Sequence, residues 1–394
     1  MENVGGRACT RLRHGMSQGK MPSAAPTPSR LQSLARSALE SSWPLLKAGL
    51  FQLDAETAHH ATLSALKWAE KAGALRLLPH LTEAAPVTVA GLHFSNRVGL
   101  AAGLDKAGQC VNGFGAMGFG HVEIGTLTPR PQPGNSLPRL FRIPEREAIV
   151  NRMGFNNPGI QQGQDNAAGR SYTGILGVNI GKNFDTPNDC AADDYVRGLR
   201  GAWTWADYVT VNLSSPNTKG LRDLQQDGVC RALIRTLHAE QKVLAQHHRK
   251  HVPVFIKIAP DLEPSHRASL ARVFCEEKLE GVIATNTTLG RTHTEGLRHS
   301  TEGGGMSGAP LRERATNFIS ALARDIDAAF PIIGAGGIMS GADAVEKLHA
   351  GATLVQLYTG LIYRGPGLVR ECVESCAEAL SDAADSDAAG GLKR

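Results

Sequence analysis

Residues 208–217 read Tyr208-Val209-Thr210-Val211-Asn212-Leu213-Ser214-Ser215-Pro216-Asn217. The first five are mostly β-branched or aromatic and end on an amide, as in a short strand buried on both faces. The remainder is polar and contains a proline, so this strand delivers hydroxyls and amides at its carboxyl end. The same pattern recurs at Val98-Gly99-Leu100-Ala101-Ala102, His121-Val122-Glu123-Ile124-Gly125, Ile175-Leu176-Gly177-Val178-Asn179, Val254-Phe255-Ile256-Lys257-Ile258, Gly281-Val282-Ile283-Ala284-Thr285, Pro331-Ile332-Ile333-Gly334-Ala335 and Leu354-Val355-Gln356-Leu357-Tyr358. Most of these runs lead through polar or Gly-rich residues into a helical stretch. Eight β/α units in about 290 residues predict an α/β fold, a closed (β/α)8 TIM barrel over residues 86–380. An open doubly wound sheet is the competitor, but it rarely uses eight such even units.

Outside the barrel the chain changes character. Residues 1–30 lack a hydrophobic period and end in Ala24-Ala25-Pro26-Thr27-Pro28-Ser29 before the pattern turns helical from Leu31, and residues 1–35 are read as a disordered extension. Their Arg-rich, acid-poor composition also resembles a transit peptide, and Met16 and Met21 are alternative starts. Residues 36–80 read as a small helical domain. Ser41-Ser42-Trp43-Pro44-Leu45-Leu46 opens a short helix with its proline near the first turn. Asp54 caps a second helix running to about Ala72, with Ala58, Ala61, Leu63, Leu66 and Ala69 on its apolar side. Trp43, Leu45, Leu46, Leu50, Phe51 and Leu53 make the first segment strongly apolar for a chain end. It either packs on the main domain or offers a surface to lipid or a lipophilic partner. Residues 87–94 predict a hairpin, residues 129–150 a long excursion with strands at Phe141-Arg142-Ile143 and Ala148-Ile149-Val150, and residues 381–394 a frayed tail.

The chain has 394 residues, 42% hydrophobic and 20% charged, which is enough to bury a large core without covalent staples. The net charge of +5 is partly N-terminal, from Arg7, Arg11, Arg13, Lys20, Arg30 and Arg36 against Glu2 and Glu40. No basic stripe is interleaved with aromatics, which argues against nucleic-acid binding. A basic terminus beside an amphipathic helix suits an anionic membrane surface better. The seven cysteines are scattered, with no CxxC and no zinc spacing, so a reduced, cytoplasm-facing compartment is the simplest reading. No run of 18 apolar residues is present to span a bilayer.

Barrel active sites lie at the carboxyl ends of the strands. Here those ends carry Ala102-Gly103-Leu104-Asp105-Lys106, Thr126, Asn179, residues 212–217, Thr285-Asn286-Thr287, Gly334-Ala335-Gly336-Gly337 and Tyr358-Thr359-Gly360. The Gly-rich turns after the seventh and eighth strands stand where barrels bind phosphate, and Gly308 adds another close backbone approach. Lys257 within an apolar strand is costly unless it meets an anion. The N1–C2=O edge of a reduced flavin is such an anion; a structural ion pair is the alternative. Asn151, Asn156, Asn179, Asn212, Asn217 and Asn286 donate and accept at once, as a ring of alternating C=O and N–H groups requires, although singly such residues serve turns and caps. No metal cluster, paired carboxylate or Ser/His/Asp set occupies these ends. That argues against hydrolysis and leaves redox or proton-transfer chemistry carried largely by a cofactor.

Five stretches carry a family resemblance: residues 101–106, Gly125-Thr126-Leu127-Thr128-Pro129-Arg130-Pro131-Gln132, Asn151-Arg152-Met153-Gly154-Phe155-Asn156-Asn157, Val211 through Thr218, and Leu357-Tyr358-Thr359-Gly360. Over residues 43–377 the chain resembles the quinone-dependent, membrane-associated class of dihydroorotate dehydrogenase. Ser215 stands where soluble relatives carry a cysteine base, and the N-terminal helices resemble that class's quinone-binding domain. The resemblance implies oxidation of dihydroorotate to orotate in pyrimidine synthesis, with one FMN per chain and a quinone as second substrate. It implies FMN contacts from Ala102, Gly103, Leu104, Asp105, Lys106, Thr126, Asn179, Asn212, Lys257, Thr285, Gly308, Gly337, Tyr358 and Thr359. It implies substrate contacts from Lys106, Asn151, Arg152, Met153, Gly154, Phe155, Asn212, Asn217, Asn286 and Thr287, with Ser215 as the base. It further implies a monomer peripheral to a membrane, the bacterial inner membrane being favoured over the mitochondrial one. Ala107 and Arg97 depart from the family pattern, away from any of these positions. The competing readings are another FMN barrel, such as an ene-reductase or 2-hydroxy-acid oxidase, which would place a histidine at a strand end, and a colourless phosphate-binding barrel acting as an isomerase or membrane-bound module.

Overall fold

The computed structural model describes residues 29–78 and 83–391. All eight expected barrel strands form: β1 (Val98–Leu100), β2 (His121–Leu127), β3 (Ile175–Ile180), β4 (Tyr208–Asn212), β5 (Val254–Ile258), β6 (Val282–Ala284), β7 (Ile332–Ala335) and β8 (Leu354–Leu357). Each pairs in parallel with its neighbours in sequence, and β8 pairs with β1 to close the barrel.

Side chains alternate along each strand, so the barrel interior is built in layers. The lowest layer is apolar: Tyr208, Phe255, Ile283, Ile333 and Leu354 pack against Val89 and Phe94 of the predicted hairpin. That hairpin, Val87–Val89 with Leu92–Phe94, closes this end of the barrel. His121 is fully buried in this layer, edge-on to Phe94 with ring centroids 5.3 Å apart. Neither of its ring nitrogens has a protein hydrogen-bond partner. Gly99 is required opposite it, because a Cβ there would lie 2.0 Å from His121 Nε2. The layer above is polar and centres on Glu123. Its carboxylate accepts from Asn179 Nδ2 at 2.8 Å, Tyr208 Oη at 2.9 Å, Gln356 Nε2 at 2.9 Å and Thr210 Oγ1 at 3.2 Å. Four donors compensate the cost of removing that carboxylate from water.

The N-terminal region differs in part from expectation. Helix α1 (Arg30–Leu50) is continuous, with Pro44 in its interior, instead of beginning at Ser41. Ser29 and Gln32 form a capping box that starts it early. Residues 30–35, expected in the extension, are therefore helical, and the rest of the extension, residues 1–28, lies outside the described residues. Helix α2 (Ala55–Lys71) is capped by Asp54, as read from the sequence. At the other end, the helix Gly367–Gly391 takes in residues expected to fray. The excursion forms its two strands, Leu140–Ile143 and Ala148–Asn151, and an unanticipated third, Gly305–Gly308, joins them antiparallel.

Named contacts dock the helices on the barrel. Arg139 donates to both Glu56 carboxylate oxygens, at 2.7 and 3.1 Å, with both side chains mostly buried. The Arg142 guanidinium lies 4.4 Å over the Phe51 ring and donates to the Leu50 and Leu53 carbonyls. Arg370 pairs with Glu40 at 3.0 Å.

Candidate active site

A cavity of about 140 Å³ opens at the carboxyl ends of the strands. Its wall gathers most of the residues singled out from the sequence: Ala102, Gly103, Lys106, Thr126, Asn151, Met153, Gly154, Phe155, Asn212, Ser215, Asn217, Lys257, Thr285, Asn286, Thr287, Gly308, Gly337, Tyr358 and Thr359. Leu104, Asp105, Asn179 and Arg152 stand behind that wall. Leu104 belongs to the apolar core. The Asp105 carboxylate holds the turn after β1 by accepting from the Gln109 and Cys110 amides at 2.9 and 2.8 Å. Asn179 links the Glu123 layer to the cavity floor, accepting from Thr126 Oγ1 at 2.6 Å and Asn212 Nδ2 at 3.2 Å. Arg152 turns outward to Glu302 at 2.7 Å.

The loop after β4 presents its groups in sequence. Ser215 is buried, and its Oγ accepts the Asn217 amide at 3.3 Å. Asn217 Nδ2 donates to Asn151 Oδ1 at 3.1 Å, tying the loop to the excursion. Asn286 Nδ2 donates to Ser214 Oγ at 2.9 Å, tying it to the end of β6. Ser214 and Thr218 lie within the quoted motif but carry no individual role in the sequence. Ser214 is fully buried between Asn212 and Asn286, and the buried Thr218 Oγ1 lacks a protein partner. Ser307 and Gln356 also line the cavity unforeseen, although Gln356 sits inside an apolar run, the very signal that marked Lys257.

Two lysines face the cavity. Burial pushes Lys257 below its ordinary value, while attraction from Glu123 opposes this. Its Nζ makes no hydrogen bond among the described residues. Lys106 is pushed down to about 8, first by burial; Glu56 and Asp105 oppose this and Arg139 adds to it. Glu56 belongs to α2, so the N-terminal helices reach the mouth of the barrel. His59, one turn along α2, is pushed down to about 3 by burial and then by Lys106. No strand end places a histidine in the cavity wall.

A helix start and a close glycine also adjoin the wall. The helix Arg312–Ile326 begins at Leu311, which lines the cavity and supplies no side-chain cap; the Arg312 amide donates to the Ala309 carbonyl of the turn before it. Gly337, with φ 74°, packs so closely that a Cβ would lie 2.3 Å from the Arg312 backbone. Among the described residues no three His, Cys, Asp or Glu side chains are grouped to hold a metal ion.

Closed parallel barrel and polar mouth together define a (β/α)8-barrel enzyme with its site at the strand ends. The family model for dihydroorotate dehydrogenase matches residues 84–380. The chain belongs to the dihydroorotate dehydrogenase family and is an oxidoreductase. It is 55% identical over 330 residues to the dihydroorotate dehydrogenase (quinone) of Akkermansia muciniphila, covering 84% of this chain and 95% of that one. It is 54% identical over 336 residues to the protein of the same name from Thiobacillus denitrificans, covering 85% and 99%. The crystal structure of the Eimeria tenella enzyme in complex with ferulenol superposes with a TM-score of 0.76 at 38% identity, covering 84% of this chain and 93% of that one.

Proposed function

We propose that this chain oxidises (S)-dihydroorotate to orotate with FMN and passes the electrons to a membrane quinone, the fourth step of pyrimidine (UMP) synthesis. One observation carries the reading: Ser215, Lys106, Lys257, Asn151, Asn212, Asn217 and Asn286 converge on a single cavity. FMN fits this wall. Gly308, Gly336 and Gly337 suit its phosphate, while Lys257 and the unpartnered Gln356 Oε1 suit the edge of its ring. Ala102, Gly103, Thr126, Asn212, Thr285, Tyr358 and Thr359 complete its surroundings, with Leu104, Asp105 and Asn179 supporting them from behind. When bound, FMN supplies the hydride acceptor.

The chain's own groups supply the rest. Lys106 pairs with the substrate carboxylate, and Asn151, Asn217, Asn286 and Thr287 hold the ring amides and carbonyls. Met153, Gly154 and Phe155 cover the substrate and exclude water, while Arg152 holds that segment through Glu302. Ser215 takes the acidic proton alpha to the ring carbonyl. A serine is a weak base at its free pKa, and the Asn217 amide donating to its Oγ favours the deprotonated form. Quinone enters from the side of α1 and α2. Their exposed Leu45, Leu46 and Trp68, with Leu53 in the turn between them, suit a monomer held peripherally at a membrane surface, the cytoplasmic face of a bacterial inner membrane. No helix among the described residues is long and apolar enough to cross a membrane.

Ser215→Ala tests the assignment. Loss of a general base costs roughly 10²-fold or more. In stopped flow at neutral pH, flavin reduction by dihydroorotate should slow by that factor while the absorption spectrum still reports bound FMN. Reduction at the unaltered rate would remove Ser215 from this role.

A further inference from the structure

The catalytic loop is stapled from outside the cavity by a side chain that contributes nothing to its wall. Residues 213–220 form no regular element, and the chain then enters a short turn, Leu221–Gln225, that carries Arg222. From there the guanidinium reaches back across the neck of the loop. Its Nε donates to the Ser214 carbonyl at 3.0 Å, one residue before Ser215. One terminal nitrogen donates to the Thr287 carbonyl at 3.0 Å, and the other to Asp261 Oδ2 at 2.9 Å. Asp261 holds the far side, accepting from Thr288 Oγ1 at 2.5 Å and the Leu289 amide at 3.0 Å. One planar cation thus fixes the loop bearing Ser215 against the segment bearing Asn286 and Thr287, with the end of β5 as anchor. Arginine suits the task because its fork presents several donors in one rigid plane, whereas a lysine ammonium concentrates its charge at one point.

We infer that Arg222, seated by Asp261, is a positioning residue that sets the distance between Ser215 and the substrate held by Asn286 and Thr287. The inference rests on the assignment of Ser215 as the base. Misplacing a catalytic group by about 1 Å costs on the order of 10²-fold in rate, so the effect belongs in proton removal and not in cofactor binding.

The test measures the two half-reactions of the FMN-loaded enzyme separately, for Arg222→Met and Arg222→Lys, each alone and combined with Ser215→Ala. Flavin reduction by dihydroorotate should slow at least tenfold in Arg222→Met, with FMN content and reoxidation by a short-chain quinone unchanged. Arg222→Lys should recover only part of the loss. In the Ser215→Ala background the Arg222 substitution should cost almost nothing further, because the group it positions is gone. Equal slowing of both half-reactions, or full additivity with Ser215→Ala, overturns the inference. If Arg222→Met does not fold, the same comparison is read from Arg222→Lys, and reduction at the wild-type rate there overturns it. A Ser215→Ala enzyme that reduces normally sinks the assignment of the base instead, so the two failures are distinct.

Discussion

Lys106 sits where two electrostatic demands meet. In the role proposed for it, it must be a cation to hold the substrate carboxylate, yet burial has brought its pKa down to about 8. Above that pH the free enzyme loses the charge proposed to hold the substrate carboxylate. Affinity for orotate should therefore be flat below pH 8 and fall above it, by up to about tenfold per pH unit. Titrating the flavin absorbance with orotate between pH 6.5 and 9.5 measures this. Lys106→Met should bind weakly and lose the dependence, and a wild-type affinity that stays flat to pH 9.5 would refute the pairing. At this scale the sequence was legible wherever a polar residue interrupted an apolar run. Lys257 carries that signal, and Glu123 and Gln356 carry it too. Arg222 and Arg139 left no such trace, because they lie on turns and edges where charge is ordinary and their partners are remote: Glu56 is 83 positions from Arg139.

Helix α2 adjoins the mouth of the cavity and is the element through which we propose quinone is admitted. One of its residues, Glu56, is clamped by Arg139, while Arg139 also donates to the Pro133 and Asn135 carbonyls at 2.6 and 2.8 Å. The pair therefore ties α2 to the excursion that bears Asn151 and Phe155. Replacing Glu56 by Gln removes the charge but keeps one acceptor, and it should cost about 1–2 kcal/mol locally, less than a fully broken buried pair. Limited proteolysis should then release a fragment ending beyond α2 sooner than in the parent. Quinone reduction should slow while flavin reduction by dihydroorotate is largely kept. Equal protease resistance would show that apolar packing alone, such as Leu66 over Gly113, seats the helix. The existence of α2 was readable because its cap and apolar face are local. The early start of α1 was not, since its capping box adjoins a proline-rich stretch that reads as a linker, and the strand Gly305–Gly308 looked like a Gly-rich turn because its pairing partner lies across the excursion.

Across the whole barrel, polarity rises from floor to mouth: an apolar layer closed by the hairpin, the Glu123 layer, then the cavity. Eight local strand signals sufficed to reveal the barrel, because closure adds no residue pattern of its own beyond their number. The layering emerges only when β1 to β8 are set in register. His121 is the exception within it, an imidazole in the apolar floor, pushed down to about 3 by burial alone. In the unfolded chain the same group would titrate near 6.5. Between these values the unfolded state binds a proton that the folded state refuses, so stability falls as pH drops below 6.5, by up to about 1.4 kcal/mol per pH unit for this group. His59, also pushed down to about 3, adds a second proton in the same window. His121→Leu keeps the volume close and removes the titrating group and its unpartnered nitrogens. Urea unfolding at pH 7.5, 6.0 and 5.0 should show the variant losing less stability on acidification than the parent, by about one proton's worth, while flavin reduction at pH 7.5 is unchanged. Parallel losses in the two proteins would mean that His121 takes up its proton without unfolding, with water reaching the barrel floor.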